Sequence, residues 1–262
     1  MAKEVFNRYE VKYMLSTDQK DAVIEVLLDQ MNLDPYNSGG KYYTICNIYY
    51  DTEDNTLIQR SLSRPPYKEK LRLRGYGVPK PGDIVFLEIN QELAAILKLS
   101  ELGNVDWNVL LGRSCIELEE AKRYMETGVL PEFQPYMNRQ VLREIDYFTH
   151  IYDLKPKLYL AYDRLAFFDK SDSGFRVSFD TNIRTRRYDL SLDAGDHGQK
   201  MLKDDLWLME VKIDKNLPLW FAHLLQENKM YNSSFSKYGT EYARMIASER
   251  MENADMVYSS II

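Results

Sequence analysis

YKEKLRLRG, residues 67–75, alternates without a break: Lys68, Lys70, Arg72 and Arg74 fall on one side of an extended chain, Leu71 and Leu73 on the other. Side chains of a β-strand alternate between its two faces, so this stretch reads as a strand with a cationic face and an apolar face. The same division recurs. RYEVKY (8–13) places Arg8, Glu10 and Lys12 together, and FLEIN (86–90) places Glu88 with Asn90. YLAYDRLAF (159–167) places Tyr162 with Arg164, and WLMEVKI (207–213) places Glu210 with Lys212. In FRVSFDTNIRTR (175–186), Arg176, Ser178 and Asp180 share a face, and Arg184 and Arg186 follow in the same parity. The opposite positions are apolar, among them Val11, Val85, Leu87, Ile89, Val177, Phe179, Met209 and Val211.

Taken singly, each segment is an ordinary strand with one wet face. Together they are unbalanced. The polar faces carry eleven of the chain's 34 cations and only four of its 40 acids, in a protein of net charge −6. Like charge gathered on one face repels itself unless an anion is present. Rolled into a barrel of about eight strands, that face becomes a lumen wide enough for a small ligand. The apolar face then points outward and needs helices to cover it. The ligand implied is a polyanion, best matched by phosphates, which arginine binds bidentately and lysine as a point charge. Carboxylates among so many cations imply a divalent metal bridging acid and phosphate.

The remaining pattern agrees. Strands are expected over 4–15, 42–51, 67–75, 83–90, 157–168, 175–186 and 206–213. Helices are expected over 17–31 (capped by Thr17 or Asp18), 52–62, 92–102, 118–126, 217–229 with Pro218 in its first turn, and 236–249. Residues 133–145 fit either state, and 251–262 read as a tail. So many strands exceed what parallel βαβ alternation gives. The fold expected is α+β, an antiparallel β-barrel with helices packed outside, in one domain over 1–250.

Composition narrows the rest. The acidic balance argues against a nucleic-acid partner. His150, His197 and His223 are scattered, and Cys46 and Cys115 stand apart, so no zinc spacing or disulfide pair is visible. No phosphate-loop or dinucleotide motif occurs. No apolar run approaches the roughly 18–20 residues of a membrane span, and MAKEVFNRYE lacks a signal-like apolar stretch. A cytoplasmic protein is expected.

FNRYEVKYML, TICNIYYDT, EKLRLRGYG, VFLEI, YLAYDRLAF, FRVSFDTNIR, WLMEVKI and SSFSKYG, in this order, resemble the VTC domain. That domain is the catalytic part of a polyphosphate polymerase and belongs to the triphosphate tunnel metalloenzymes, with the CYTH proteins. The resemblance spans about residues 5–245; its strength lies in the ordered set rather than in any one stretch. It implies a tunnel that binds triphosphate with Mn²⁺ or Mg²⁺ and moves the γ-phosphate of ATP to a polyphosphate chain. Carried over by position, Lys12, Arg72, Arg74, Arg164 and Arg176 are implied phosphate contacts, with Lys212 on the same lumen face. Lys237 and Ser236 are implied to close the tunnel. Arg8, Lys70 and Arg184 are expected as further substrate contacts, with a surface role equally open for Arg184 and for Arg186. Glu210 is the implied metal ligand, with Glu88 and Glu10 beside it, and Arg8-x-Glu10-x-Lys12 looks like a worn ExExK signature. Nothing resembles the family's separate membrane domains, so a membrane partner would be another chain.

One departure stands out. Where the family reads E-x-K, this chain has Glu88-x-Asn90, and residues 91–112 read as a helix and loop, with Arg113 standing where the next basic cluster lies. A wall strand that is lost, displaced or replaced is therefore expected. Three functions stay open: ATP-dependent polyphosphate polymerase, tunnel triphosphatase, and a binding module without turnover.

Overall fold

In the computed structural model, which describes residues 5–63, 65–94, 107–171, 174–214 and 216–259, the alternating segments form one antiparallel sheet. Its strands are β1 (Val5–Ser16), β2 (Met31–Leu33), β3 (Tyr43–Asp51), β4 (Tyr67–Tyr76), β5 (Ile84–Ala94), β6 (Trp107–Glu117), β7 (Lys155–Asp169), β8 (Arg176–Arg186), β9 (Gln199–Lys200) and β10 (Leu206–Ile213). The order is β2-β7-β3-β4-β5-β6-β1-β10-β8-β9, and β7 also pairs with β8. The circuit from β7 through β3, β4, β5, β6, β1 and β10 to β8 thus returns to β7, and β2 and β9 only extend the edges of β7 and β8.

The helices are α1 (Thr17–Gln30), α2 (Thr56–Leu62), α3 (Leu118–Thr127), α4 (Arg139–Ile151), α5 (Leu219–Glu227) and α6 (Lys237–Ser259). They cover the apolar faces. The outward side chains of β4 and β5 (Leu71, Leu73, Val85, Leu87, Ile89) pack with Leu118, Ala121 and Tyr124 of α3 and Val141, Leu142, Ile145 and Phe148 of α4. Gly112 lets α4 approach: a Cβ there would sit 3.1 Å from Ile89 and 3.4 Å from Val141. On the other flank, β1, β8 and β10 pack with Val23 and Leu27 of α1 and Phe221, Leu224 and Leu225 of α5. A third apolar cluster joins Ile45, Tyr49, Leu158, Leu160, Tyr162 and Ile183 to Tyr238 and Tyr242 of α6. The start of α6 therefore fills one end of the barrel.

Local chemistry corrects several boundaries. The α1 cap is Ser16, whose hydroxyl accepts from the Gln19 amide while the Gln19 side chain accepts from the Ser16 amide. α2 begins at Thr56 because the buried Asp51 carboxylate accepts the Leu57 and Ile58 amides. Pro218 is the cap of α5 rather than part of its first turn. α4 settles the ambiguous stretch as helix over Arg139–Ile151, capped by Asn138. α6 continues to Ser259, so residues 251–259 are helical and not a tail.

The largest correction concerns the wall. QELAAIL has apolar spacing that also suits a helix, but β5 stays extended to Ala94, with Leu93 opposite both Tyr67 and Asn108. Tertiary pairing overrides the local pattern here. β6 then follows as a complete wall strand between β5 and β1. The rest of the helix expected over 92–102 lies outside the described residues. No described helix is long and apolar enough to cross a membrane.

Candidate functional site

The strand faces that point into the barrel hold two ionic knots. The first is built on one rung, because Arg72 of β4 and Arg113 of β6 both lie directly opposite Glu88 of β5. Glu88 is fully buried. Its Oε2 accepts from Arg72 Nε at 2.6 Å and lies 3.6 Å from Arg74 Nη1, and its Oε1 accepts from Arg113 Nε at 2.6 Å. Burial opposes the charge on Glu88, but Arg74, Arg72 and Arg113 hold its carboxyl well below the usual carboxylate range. β3 steers the guanidiniums: Arg74 Nε donates to Asn47 at 2.9 Å, and Arg72 Nη1 donates to the Tyr49 hydroxyl at 3.2 Å.

The second knot joins β7, β8, β10 and α6. Arg164 donates to Asp180 through Nε (2.6 Å) and Nη2 (2.8 Å), and through Nη2 to Glu210 (2.7 Å). Lys237, at the start of α6, reaches Glu210 Oε1 and Asp180 Oδ2, each at 2.6 Å. Both cations lie over the Tyr162 ring, Arg164 at 5.0 Å and Lys237 at 4.5 Å. Burial works against ionisation of Glu210, but Lys237 and Arg164 hold it well below its usual range. Beside it, Glu10 lies 3.0 Å from Lys12 and 3.2 Å from Lys212. Against burial, those two lysines bring Glu10 down to about 2. Lys12 is raised: burial lowers it, and Glu10 and Glu210 more than offset that. Lys212 ends below its ordinary value, because burial, Arg164 and Arg176 outweigh the pull of Glu10.

Arg176 sits farther out, 3.2 Å from Asp34 and over the Phe168 ring at 4.6 Å. Lys70 is placed opposite Asn90, on the same side of β4 as Arg72. Ser236 accepts from the Gly239 amide, which makes it a cap for α6. Arg8 lies in β1 opposite Val109; its side chain is outside the described residues.

Arg184 and Arg186 are not in the lumen. A register shift separates Ala161 from Asp163 on β7, and the facing Asn182 of β8 has φ +48°. The extra residue of a bulge reverses which face the following side chains occupy. Ile183 therefore turns inward to the third apolar cluster. Arg184 turns outward to Asp163 (3.2 Å) and Asp196 (2.6 Å), and Arg186 is fixed by the Asp189, Ser191 and His197 carbonyls. Arg184, expected as a substrate contact, thus lies outside the lumen.

Sequence reasoning missed the parts played by Asp180, Asn47 and Tyr49. Asn47 was findable as the one amide in the apolar strand TICNIYYD, whereas Tyr49 carried no signal because β3 is buried on both faces. For a metal, no group of three or more His, Cys, Asp or Glu side chains among the described residues is arranged to hold an ion. Both oxygens of Glu88 face guanidiniums, which makes it a counter-ion of the arginine wall. Glu210 and Glu10 lie on adjoining strands, Glu210 opposite Lys12 and Glu10 opposite Lys212.

Residues 7–246 match the family described as the VTC domain. Subunit 4 of the vacuolar transporter chaperone complex from Trypanosoma brucei brucei is 25% identical over 217 residues, and that of Trypanosoma cruzi is 25% identical over 225. Each alignment covers 73% of this chain and 27% of the relative, so the chain spans about a quarter of the length of these relatives. A Bacillus halodurans protein, solved under the description of an adenylate cyclase, superposes with a TM-score of 0.51 at 14% identity, covering 89% of this chain and 96% of that one. It shows the shared fold.

Proposed function

This chain belongs to the VTC domain family, and from that premise we propose that it is a metal-dependent polyphosphate polymerase, transferring the γ-phosphate of ATP to a polyphosphate end inside the barrel. The observation that carries this reading is the wall of Arg72, Arg74 and Arg113 around the single carboxylate Glu88. Three guanidiniums held by one acid, Asn47 and Tyr49 are ordered before any ligand arrives. Phosphoryl transfer asks mainly for charge neutralisation and in-line positioning, which such a preset array supplies without reorganising.

Lys12, Lys212, Arg164 and Lys237 face the wall from the other strands and from α6. Their carboxylate partners keep them in place, and phosphate oxygens can take up the donors those partners do not use. Glu210, with Glu10 beside it, is the pair that would hold Mn²⁺ or Mg²⁺; Lys237 and Arg164 take both Glu210 oxygens, and Lys12 and Lys212 both Glu10 oxygens, so the ion, with phosphate and water completing its shell, would have to displace some of these cations. The ion would supply neutralisation of charge between β- and γ-phosphates. With β6 complete, Asn90 is the remaining sequence departure that favours a module without turnover.

The test is a turnover assay with ATP and Mn²⁺, with and without a short polyphosphate primer. Release of ADP matched by growth of polymer supports the polymerase. Orthophosphate without polymer makes the protein a tunnel triphosphatase. Binding without turnover makes it a receptor.

A further inference from the structure

At the end of the barrel away from α6, the inward faces change from cationic to aromatic. Tyr43 lies directly opposite Arg164, and Phe86 directly opposite Arg74. Tyr76 follows Arg74 on the same face of β4, about 7 Å farther out at the usual strand rise. Phe86 meets Tyr76 edge-on (centroids 5.4 Å apart), and Tyr43 lies 6.1 Å from Tyr76. Tyr36 then stacks on Tyr76, with centroids 5.9 Å apart and planes within 12°. Tyr36 is 73% exposed and Tyr76 41%.

This exposed lip is built and not merely a stray surface residue. Tyr36 stands on the 3₁₀ turn Pro35–Gly40, and two buried polar side chains fasten that turn to the barrel. Asp34 accepts the Tyr36 amide at 3.0 Å and also meets Arg176 at 3.2 Å and the Tyr43 hydroxyl at 3.4 Å. Asn37 donates to the Arg164 carbonyl at 2.8 Å and accepts the Ala166 amide at 2.9 Å. The turn that carries the ring is thus held at a fixed place relative to Arg164 and Arg176. Arg113 links the lip to the arginine wall, lying over Phe86 at 4.8 Å while donating to the Tyr76 hydroxyl at 3.4 Å.

We propose that the Tyr36–Tyr76 lip is the seat of the nucleoside part of the substrate, a nucleobase stacking on the outer face of Tyr36 while its phosphates reach the arginine wall. This rests on the polymerase reading for the position of the phosphates. Aromatic rings accept a base by its π-face, without reading its hydrogen-bonding edge. The lip therefore distinguishes a nucleotide from a bare phosphate chain and orients the nucleotide with its γ-phosphate inward.

The experiment is calorimetric titration of ATP and, separately, of inorganic tripolyphosphate, in EDTA, into wild type, Tyr36→Ala and Tyr36→Phe. Because Tyr36 is exposed, neither change threatens folding, which thermal melts would check. We expect Tyr36→Ala to weaken ATP at least about five-fold, the low end for one base–aromatic stack, with tripolyphosphate unchanged and Tyr36→Phe close to wild type. Equal effects on both ligands, or no effect on either, would overturn the lip while leaving the phosphate site standing. Wild type that binds neither ligand, in EDTA or with Mn²⁺ added, would overturn the lip and the polymerase reading together.

Discussion

The two knots in the lumen use the same residue types to opposite ends. Around Glu88, three arginines share one carboxylate; around Asp180 and Glu210, Arg164 and Lys237 meet two. The first leaves cationic charge in excess and the second is balanced. An excess held in place by a buried counter-ion is a standing demand for an anion, whereas a balanced knot makes no such demand. Under the proposed function the β4–β5–β6 wall would take phosphate, and the β1–β10 side would take a metal.

Removing the counter-ion should break this contrast most severely. Glu88→Gln leaves three arginines facing one another in a buried place, and loss of one partner from a buried ion pair costs about 3–5 kcal/mol. Urea unfolding should show that loss, and saturating tripolyphosphate should restore more stability to the variant than it adds to wild type. An equal ligand effect in both proteins would mean that the wall is not where phosphate binds.

Next in size is Glu210→Gln. On the balanced side it should lower Mn²⁺-dependent turnover about a hundred-fold, the several kcal/mol a metal contributes to such a transition state, without weakening tripolyphosphate binding in EDTA. Weaker binding in EDTA would place Glu210 among the supports of the phosphate site instead.

A smaller effect concerns acid. The pKa of Glu10 is depressed from 4.5 to about 2 in the folded protein. The unfolded chain therefore binds this proton more readily, and the stability Glu10 contributes is complete above about 4.5 and is lost as pH falls towards about 2. Melting temperature followed over that window should fall less steeply for Glu10→Gln than for wild type. Parallel curves would show that Lys12 and Lys212 do not hold the carboxylate.

The smallest change is Asn90→Lys, which would restore the family's E-x-K spacing opposite Lys70. With Arg113 already on the neighbouring strand, one added partly exposed charge is worth up to about 1 kcal/mol. Tripolyphosphate affinity should rise no more than about five-fold. A larger gain would mean that Asn90 does limit the site.

Much of this was legible because a strand with one apolar and one charged face writes its own period into the sequence. Tyr67–Tyr76 and Leu206–Ile213 could be read almost to their ends, and Arg72, Arg74, Arg164, Glu210 and Lys12 follow from parity alone. Two kinds of information were not local. β6 depends on pairing with β5 and β1, and QELAAIL gives no hint of those partners. Arg184 depends on the bulge at Asn182, a single left-handed residue that reverses every side chain after it. Asp34 and Asn37, which position the aromatic lip, look in sequence like ordinary turn residues, and only their burial reveals their role.

That reversal also provides a control for a phosphate site inside the barrel. Arg72 and Arg184 have the same parity in their strands, but one lies in the lumen and the other outside, between Asp163 and Asp196. The decisive measurement is titration of tripolyphosphate into Arg72→Ala and Arg184→Ala, with circular dichroism to verify folding. A phosphate site inside the barrel predicts at least about a ten-fold loss of affinity in the first, in line with a charge-assisted hydrogen bond of about 1.5–3 kcal/mol, and wild-type affinity in the second. Equal losses, or a loss confined to Arg184→Ala, would contradict a phosphate site inside the barrel.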